Sequence, residues 1–245
     1  MRGAIGTSWI GGEYGMQRRL KVLTKTVGFR GKIVCDIGCG VGRYCLEIAK
    51  SKAKCVIGID LDAKHIKRAR TFTNGYSNVC LVVASAETLP IRNKIADITL
   101  LIEVIEHVDC QNKCVSQVYR TLKPRGIAFI TAPNRFFPIE MHGLKVSGGL
   151  VRNILGIGVP LLSWAPKWIH CKVENAKIYS QKDLVLLLQR NGFRILLIDY
   201  MMPPLDRLRI SEIMKDAIRK LFSFAEKIPL LRQSSAHVIV VVQKL

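Results

Sequence analysis

The segment Val34-Cys35-Asp36-Ile37-Gly38-Cys39-Gly40-Val41-Gly42 constrains this chain more than any other stretch. An apolar run of strand length that breaks into three alternating glycines reads as a strand, a tight turn and the start of a helix. Glycine accepts positive φ and lets a ligand approach the backbone closely, at a helix N-terminus where amide N–H groups are free. The spacing is not the dinucleotide fingerprint Gly-x-Gly-x-x-Gly, because the third glycine is Gly42 and Arg43 stands where that fingerprint needs it. Asp36, just before the first glycine, would repel a pyrophosphate and attract an ammonium. By itself the turn fits a ligand loop or a packing turn.

Apolar runs and helical patterns alternate downstream as in a doubly wound sheet. Lys32–Ile37, Cys55–Asp60, Val79–Ala84, Ala96–Ile102 and Ile127–Thr131 read as strands. Helices are expected through about Ser51, over Asp62–Phe72 with Asp62 as N-cap, and over Asn112–Leu122 before a Pro124/Gly126 stop. A further helix is expected at about 13–27. Residues 133–179 break the regularity with Pro133, Pro138, Pro160, Pro166 and Gly148-Gly149, and are too long for an ordinary connection. Alternation resumes with a helix at Gln181–Asn191, a strand at Phe193–Tyr200, a basic amphipathic helix at Ile210–Lys227 and a strand at Ala236–Val242. The whole reads as one domain over residues 1–245: a core at 30–135, an insertion at 133–179 and a completion of the core at 180–245.

Asp60 closes the second strand, the position from which an acid accepts hydrogen bonds from both ribose hydroxyls. Leu61 would then pack on an adenine. The competing reading of Asp60 is a helix cap.

Val34–Gly42, Gly58-Ile59-Asp60, Ser85-Ala86-Glu87-Thr88-Leu89-Pro90, Ala96–Val108 and Leu122-Lys123-Pro124-Arg125-Gly126 together resemble the successive motifs of class I S-adenosylmethionine-dependent methyltransferases, methyltransferase type 11. They are most similar to the group that contains ubiquinone- and menaquinone-biosynthesis enzymes. The resemblance covers about residues 30–135, with weaker agreement at 180–200. It implies a Rossmann-like, mostly parallel seven-stranded sheet with a C-terminal antiparallel strand and a lid-like insertion after the fifth strand. The cofactor it implies is S-adenosylmethionine. Asp36, Gly38, Cys39 and Gly40 would hold its methionine end, Asp60 the ribose, and Leu61, Ser85 and Ala86 the adenine, with Glu103 also near the cofactor. Ser85 replaces the aspartate usual in the adenine motif, and Arg125 replaces a glycine of the Lys-Pro-Gly-Gly turn.

A sulfonium is already a strong electrophile, so such a protein chiefly aligns an in-line displacement and removes a proton where needed. Candidate catalytic groups follow the fourth strand at Glu103, Glu106 and His107, outside the carboxyl ends of the strands. Alternatively, Glu106 and His107 cap the next helix. The same residues with His142 resemble the metal site of small-RNA 3′-terminal 2′-O-methyltransferases, where two carboxylates and two imidazoles would hold a divalent ion. The favoured reading assigns no metal.

Residues 133–179 mix Phe136, Phe137, Trp164 and Trp168 with aliphatics and with Lys145, Arg152, Lys167 and Lys172. That composition suits an interfacial membrane element, a lid over an apolar substrate, or packing on the core. The formal net charge is +20, spread over both halves of the chain, and favours an anionic partner: nucleic acid, phospholipid or a phosphorylated molecule. Cys35, Cys39, Cys55 and Cys80 fall in or beside core strands, and Cys110 and Cys114 have no matching pair for zinc. Reduced thiols in a cytoplasmic protein, in possible contact with a membrane surface, are expected. No apolar run reaches the roughly 18 residues of a spanning helix, and the N-terminus lacks a secretory signal. Three functions stand: methyl transfer to an apolar or lipid-like small molecule, methylation of RNA, and cofactor binding without catalysis in a partner subunit.

Overall fold

A computed structural model describes residues 12–140, 144–146, 149–151, 159–160, 164, 177–206 and 210–245. In chain order the elements are α1 (Glu13–Thr26), β1 (Ile33–Ile37), α2 (Arg43–Lys50), β2 (Cys55–Asp60), α3 (Ala63–Phe72), β3 (Val79–Val83), β4 (Ala96–Ile102), α4 (Gln111–Thr121) and β5 (Leu122–Pro133). After the insertion come α5 (Gln181–Arg190), β6 (Phe193–Met201), α6 (Glu212–Ala225), the single turn α7 (Pro229–Arg232) and β7 (His237–Lys244). Within the insertion, Ile139–Glu140 pairs antiparallel with Val159–Pro160, and Leu144–Val146 with Gly149–Val151.

The seven strands form one sheet in the order β6-β7-β5-β4-β1-β2-β3. β1 pairs in parallel with β2 and β4, and β2 with β3, whereas β7 runs antiparallel between β5 and β6. β4 and β7 are apolar nearly throughout because helices or loops cover both their faces. Leu184 and Leu188 of α5 pack on one side with Val115 and Val118 of α4. Leu23 of α1, Ile48 of α2 and Ile66 of α3 fill the other side against Val34, Leu100 and Phe129. The strand order switches between β1 and β4, so the carboxyl ends of β1, β2 and β4 meet at the edge where sheets of this topology bind ligands. Antiparallel β7 brings its first residue, His237, to that same edge, opposite Pro133 of β5.

Of the boundaries that differ from the sequence expectation, the start of β5 and the end of β7 have a clear physical reason. β5 begins at Leu122 rather than Ile127: the chain leaves α4 straight into the strand and absorbs Pro124 and Arg125 as an irregularity, where the pairing jumps from Ala96↔Leu122 to Ile98↔Ile127. Arg125 takes φ +61 there, in the place where the family motif has a glycine that adopts this region freely. β7 extends to Lys244, whose buried ammonium donates to the carbonyls of Tyr119 (2.6 Å) and Leu122 (2.9 Å) at the end of α4. A cation there satisfies carbonyls that the helix leaves unpaired.

Leu100 is fully buried in β4. Leu100→Ala should therefore lower stability by about 2–5 kcal/mol through lost burial and a residual cavity. Urea unfolding, with an unchanged slope against denaturant, checks this.

Candidate functional site

The glycine turn is tied to β2 before any ligand arrives. The amides of Gly38 and Cys39 both donate to the Ile59 carbonyl, at 2.7 and 2.9 Å. Gly38, Gly40 and Gly42 have φ of +75, +55 and +81. A Cβ on Gly38 would lie 2.1 Å from Val104 Cγ2, so that position is closed by packing. A Cβ on Gly40 would meet nothing within 4 Å, so the turn is open there.

Asp60 fastens the turn from the other strand. Its Oδ2 accepts from the Gly40 amide at 2.9 Å, and its Oδ1 accepts from the Asp62 amide at 2.9 Å and lies 3.2 Å from His65 Nδ1. Capping of α3 falls to Asp62, which accepts from the Lys64 amide. The competing cap reading thus belongs to the neighbour, while Asp60 Oδ2, with one partner, keeps a lone pair for a further donor. Leu61 beside it is 58% exposed. Ser85 and Ala86 are half-buried on the segment after β3, with Ser85 Oγ accepting from the Glu87 amide at 3.1 Å.

Asp36 and Cys39 sit beneath this surface. Asp36 is 1% exposed and accepts from the Cys45 thiol at 3.3 Å. Burial, with the nearby Asp60 charge adding to it, pushes its carboxyl from 3.8 up to about 7. Cys39 is likewise buried, with its thiol against that of Cys45.

A second group gathers where β4 ends. Glu103 has φ +55, an uncommon conformation for a residue with a side chain. It is fixed by its own amide, which donates to Thr131 Oγ1 at 3.1 Å, and by its Oε1, which accepts from the same hydroxyl at 2.7 Å. Oε1 also lies 3.3 Å from His237 Nδ1. Burial works against the Glu103 charge, yet His237, Arg19 and the Thr131 hydroxyl hold its carboxyl well below the usual carboxylate range. Glu106 moves the other way: burial, and then the Glu103 charge, raise it well above that range. The environment thereby pushes two neighbouring carboxyls in opposite directions, Glu103 toward its ionised form and Glu106 toward its neutral one. His107 is half-buried, its Nε2 3.8 Å from Glu106 Oε1. Glu106 and His107 do not cap the following helix, since α4 starts at Gln111 with Cys110 as its N-cap.

The structure thus brings Glu103, Glu106 and His107 to the edge that also carries the Gly40–Asp60 clasp. It adds residues that sequence reasoning passed over. Arg19 of α1 is 1% exposed and its Nη1 donates to Tyr44 Oη at 3.2 Å. Its available signal was a lone cation in the Met16, Leu20, Leu23 stripe of an amphipathic helix. His237 and Thr131 lay hidden inside apolar strands. His142 lies outside the described residues. Among those described, no group of three or more His, Cys, Asp or Glu side chains is placed to hold a metal ion. The seven described cysteines are free thiols.

Stability should report the Asp36 environment. A carboxyl raised on folding contributes fully below its unfolded value of 3.8 and loses that contribution as pH rises towards about 7. A change of that size corresponds to about 4 kcal/mol across the window. Asp36→Asn should flatten the fall in stability between those limits relative to the unaltered protein. Denaturant unfolding across a pH series measures the slopes, and equal slopes would show that Asp36 is not the group that takes up a proton.

The model of the methyltransferase domain family matches residues 35–130. Ubiquinone biosynthesis O-methyltransferase of Bartonella bacilliformis is 29% identical over 169 residues, which cover 69% of this chain and 62% of that protein. The protein of the same name from a Chelativorans species is 31% identical over 144 residues, 58% of this chain and 52% of that one. The chain thus matches little more than half to three fifths of these relatives. A methyltransferase from Mesorhizobium loti, described as S-adenosylmethionine-dependent, superposes with a TM-score of 0.64 at 17% identity, covering 91% of this chain and 96% of that structure.

Proposed function

We propose that the chain is a class I S-adenosylmethionine-dependent methyltransferase that transfers a methyl group to an apolar or lipid-like small molecule. The observation that carries the donor half is the clasp between Gly40 and Asp60. It combines an open glycine, a carboxylate whose Oδ2 has a spare lone pair for a ribose hydroxyl, and an exposed Leu61 to lie against a flat base. These residues fit S-adenosylmethionine, and the ionised Glu103 supplies negative charge suited to its cationic end. When bound, the cofactor supplies a methyl group on a sulfonium, which leaves as the neutral thioether once the acceptor's electron pair displaces it.

Everything else falls to the chain. Arg19 and His237 keep Glu103 charged in a buried place, and Thr131 holds it in its left-handed backbone conformation. Burial and the Glu103 charge hold Glu106 toward its neutral form. His107, the more accessible of the three candidates, takes the proton that an acceptor hydroxyl gives up. For the acceptor, support comes from Phe136, which follows β5 and is 52% exposed, and from Trp164, whose Nε1 donates to the Phe136 carbonyl at 3.2 Å. Two aromatics beyond a carboxyl strand end suit an apolar molecule. The names of the Bartonella and Chelativorans relatives point to the same class. Free thiols support the reducing, cytoplasmic setting expected for such an enzyme.

Isothermal titration should show binding of S-adenosylmethionine, and Asp60→Ala should weaken it about 10–100-fold, the worth of hydrogen bonds to a charged group. No binding by the unaltered protein would overturn the proposal. Incubation of a cell extract with methyl-labelled cofactor should place the label in the lipid or small-molecule fraction. Label in RNA would replace this acceptor class with nucleic acid. With the acceptor in hand, His107→Ala should lower kcat by about 10²–10⁴ while leaving cofactor affinity unchanged.

A further inference from the structure

α6 tucks Lys215 and Arg219 inward beside half-buried Ile218 and Phe222, whereas an ordinary surface helix buries its apolar stripe and shows its charges to water. Lys215 is 7% exposed. Arg219 stacks 4.2 Å over the Tyr14 ring, donates to the Pro204 carbonyl and pairs with Asp206 at 3.2 Å. Just past the helix, Glu226 pairs with Arg18 at 2.6 Å and accepts from the Met202 amide at 2.8 Å. These contacts dock the polar face on α1 and the segment after β6, and so fix the rotation of the helix. The apolar face is left outside: Ile213 is 83% exposed, Met214 54%, Leu221 64% and Phe224 61%. Leu230 and Leu231 of α7 continue the patch at 77% and 45%. Ile213, Leu221 and Phe224, spaced eight and three apart, share one side, and exposed Lys220 and Lys227 border it. Beyond them, the exposed carboxylates of Glu212 and Asp216 are paired with Lys215 and Arg219.

A contiguous patch of this kind marks an interaction site, and charge decides the partner. A second copy would bring one protein of net charge +20 against another. An anionic surface is attracted by the same charge, and the lysines lie where headgroups would meet the apolar face. A short helix with aliphatics and Phe on one side and Lys at the margin has the pattern of interfacial, in-plane binding. Among the described residues no helix is long and apolar enough to cross a membrane. We propose that the outward face of α6 and α7 docks on an anionic phospholipid bilayer, lying in its headgroup boundary with Leu221, Phe224 and Leu230 inserted. This docking does not depend on the methyl acceptor.

Flotation of the full chain with vesicles tests it. Binding is expected to phosphatidylglycerol-containing vesicles and to be weak on phosphatidylcholine alone, with added salt releasing the protein. Leu221→Gln with Phe224→Gln should lower partitioning at least about tenfold. Lys220→Gln with Lys227→Gln should lower it on anionic vesicles only. Both pairs replace exposed side chains, and an unchanged thermal midpoint confirms folding. The proposal falls if the unaltered protein ignores anionic vesicles, or if the apolar pair of substitutions leaves binding unchanged. It also falls if those substitutions turn a dimer into a monomer in sedimentation, which would make the face a contact between copies.

Discussion

The hydrogen bonds that join the first glycine turn to the second strand hold the functional edge of the molecule together. Two amides of the turn share the Ile59 carbonyl and a third reaches the Asp60 carboxylate. Parallel pairing of β1 with β2 supplies the register, since Ile37 lies opposite Ile59. The turn therefore inherits the rigidity of the sheet, and its open glycine faces a surface whose shape is settled before binding. Preformed sites of this kind lose little conformational freedom on binding a ligand.

The same edge concentrates buried charge. Glu103, Arg19 and His237 are nearly or wholly enclosed, a costly arrangement unless each charge has compensation, while burial shifts the enclosed carboxyls of Asp36 and Glu106 toward their neutral forms. Compensation comes from three different parts of the chain: α1 brings Arg19, β5 brings Thr131 and β7 brings His237. The network thus couples the N-terminal helix and the antiparallel strand to the end of β4. It also explains how Glu103 holds a positive φ without a glycine, because its amide and carboxylate are both gripped by one threonine hydroxyl.

Much of this was legible in the residues. Apolar runs of strand length and their stops locate all seven strands of the sheet, and the glycine spacing with Asp60 picks out the turn that is tied to the second strand. What escaped were features that depend on contacts between distant segments. Arg19 looks like one cation on an amphipathic helix, and only packing of α1 against α2 makes it a buried counter-charge. His237 looks like one polar residue near the start of an apolar strand, and only the antiparallel insertion of β7 beside β5 brings it to Glu103. Asp36 reads as an anion for a ligand, but strand pairing seals it under the turn with Cys45. The extra residues of β5 were hidden because Arg125 adopts a backbone region that its side chain disfavours.

The position of β7 has a bearing on how the molecule is made. Of the seven strands it is the last in sequence, yet it sits between β5 and β6 rather than at a margin. A nascent chain that has emerged only through β6 therefore leaves one edge of β5 unpaired and β6 without its neighbour, with apolar faces on both. Such edges invite pairing with other chains until the final strand arrives. Synthesis speed through the α6 region, and chaperone cover while it is under way, should then govern the yield of folded protein more than the stability of the finished sheet does.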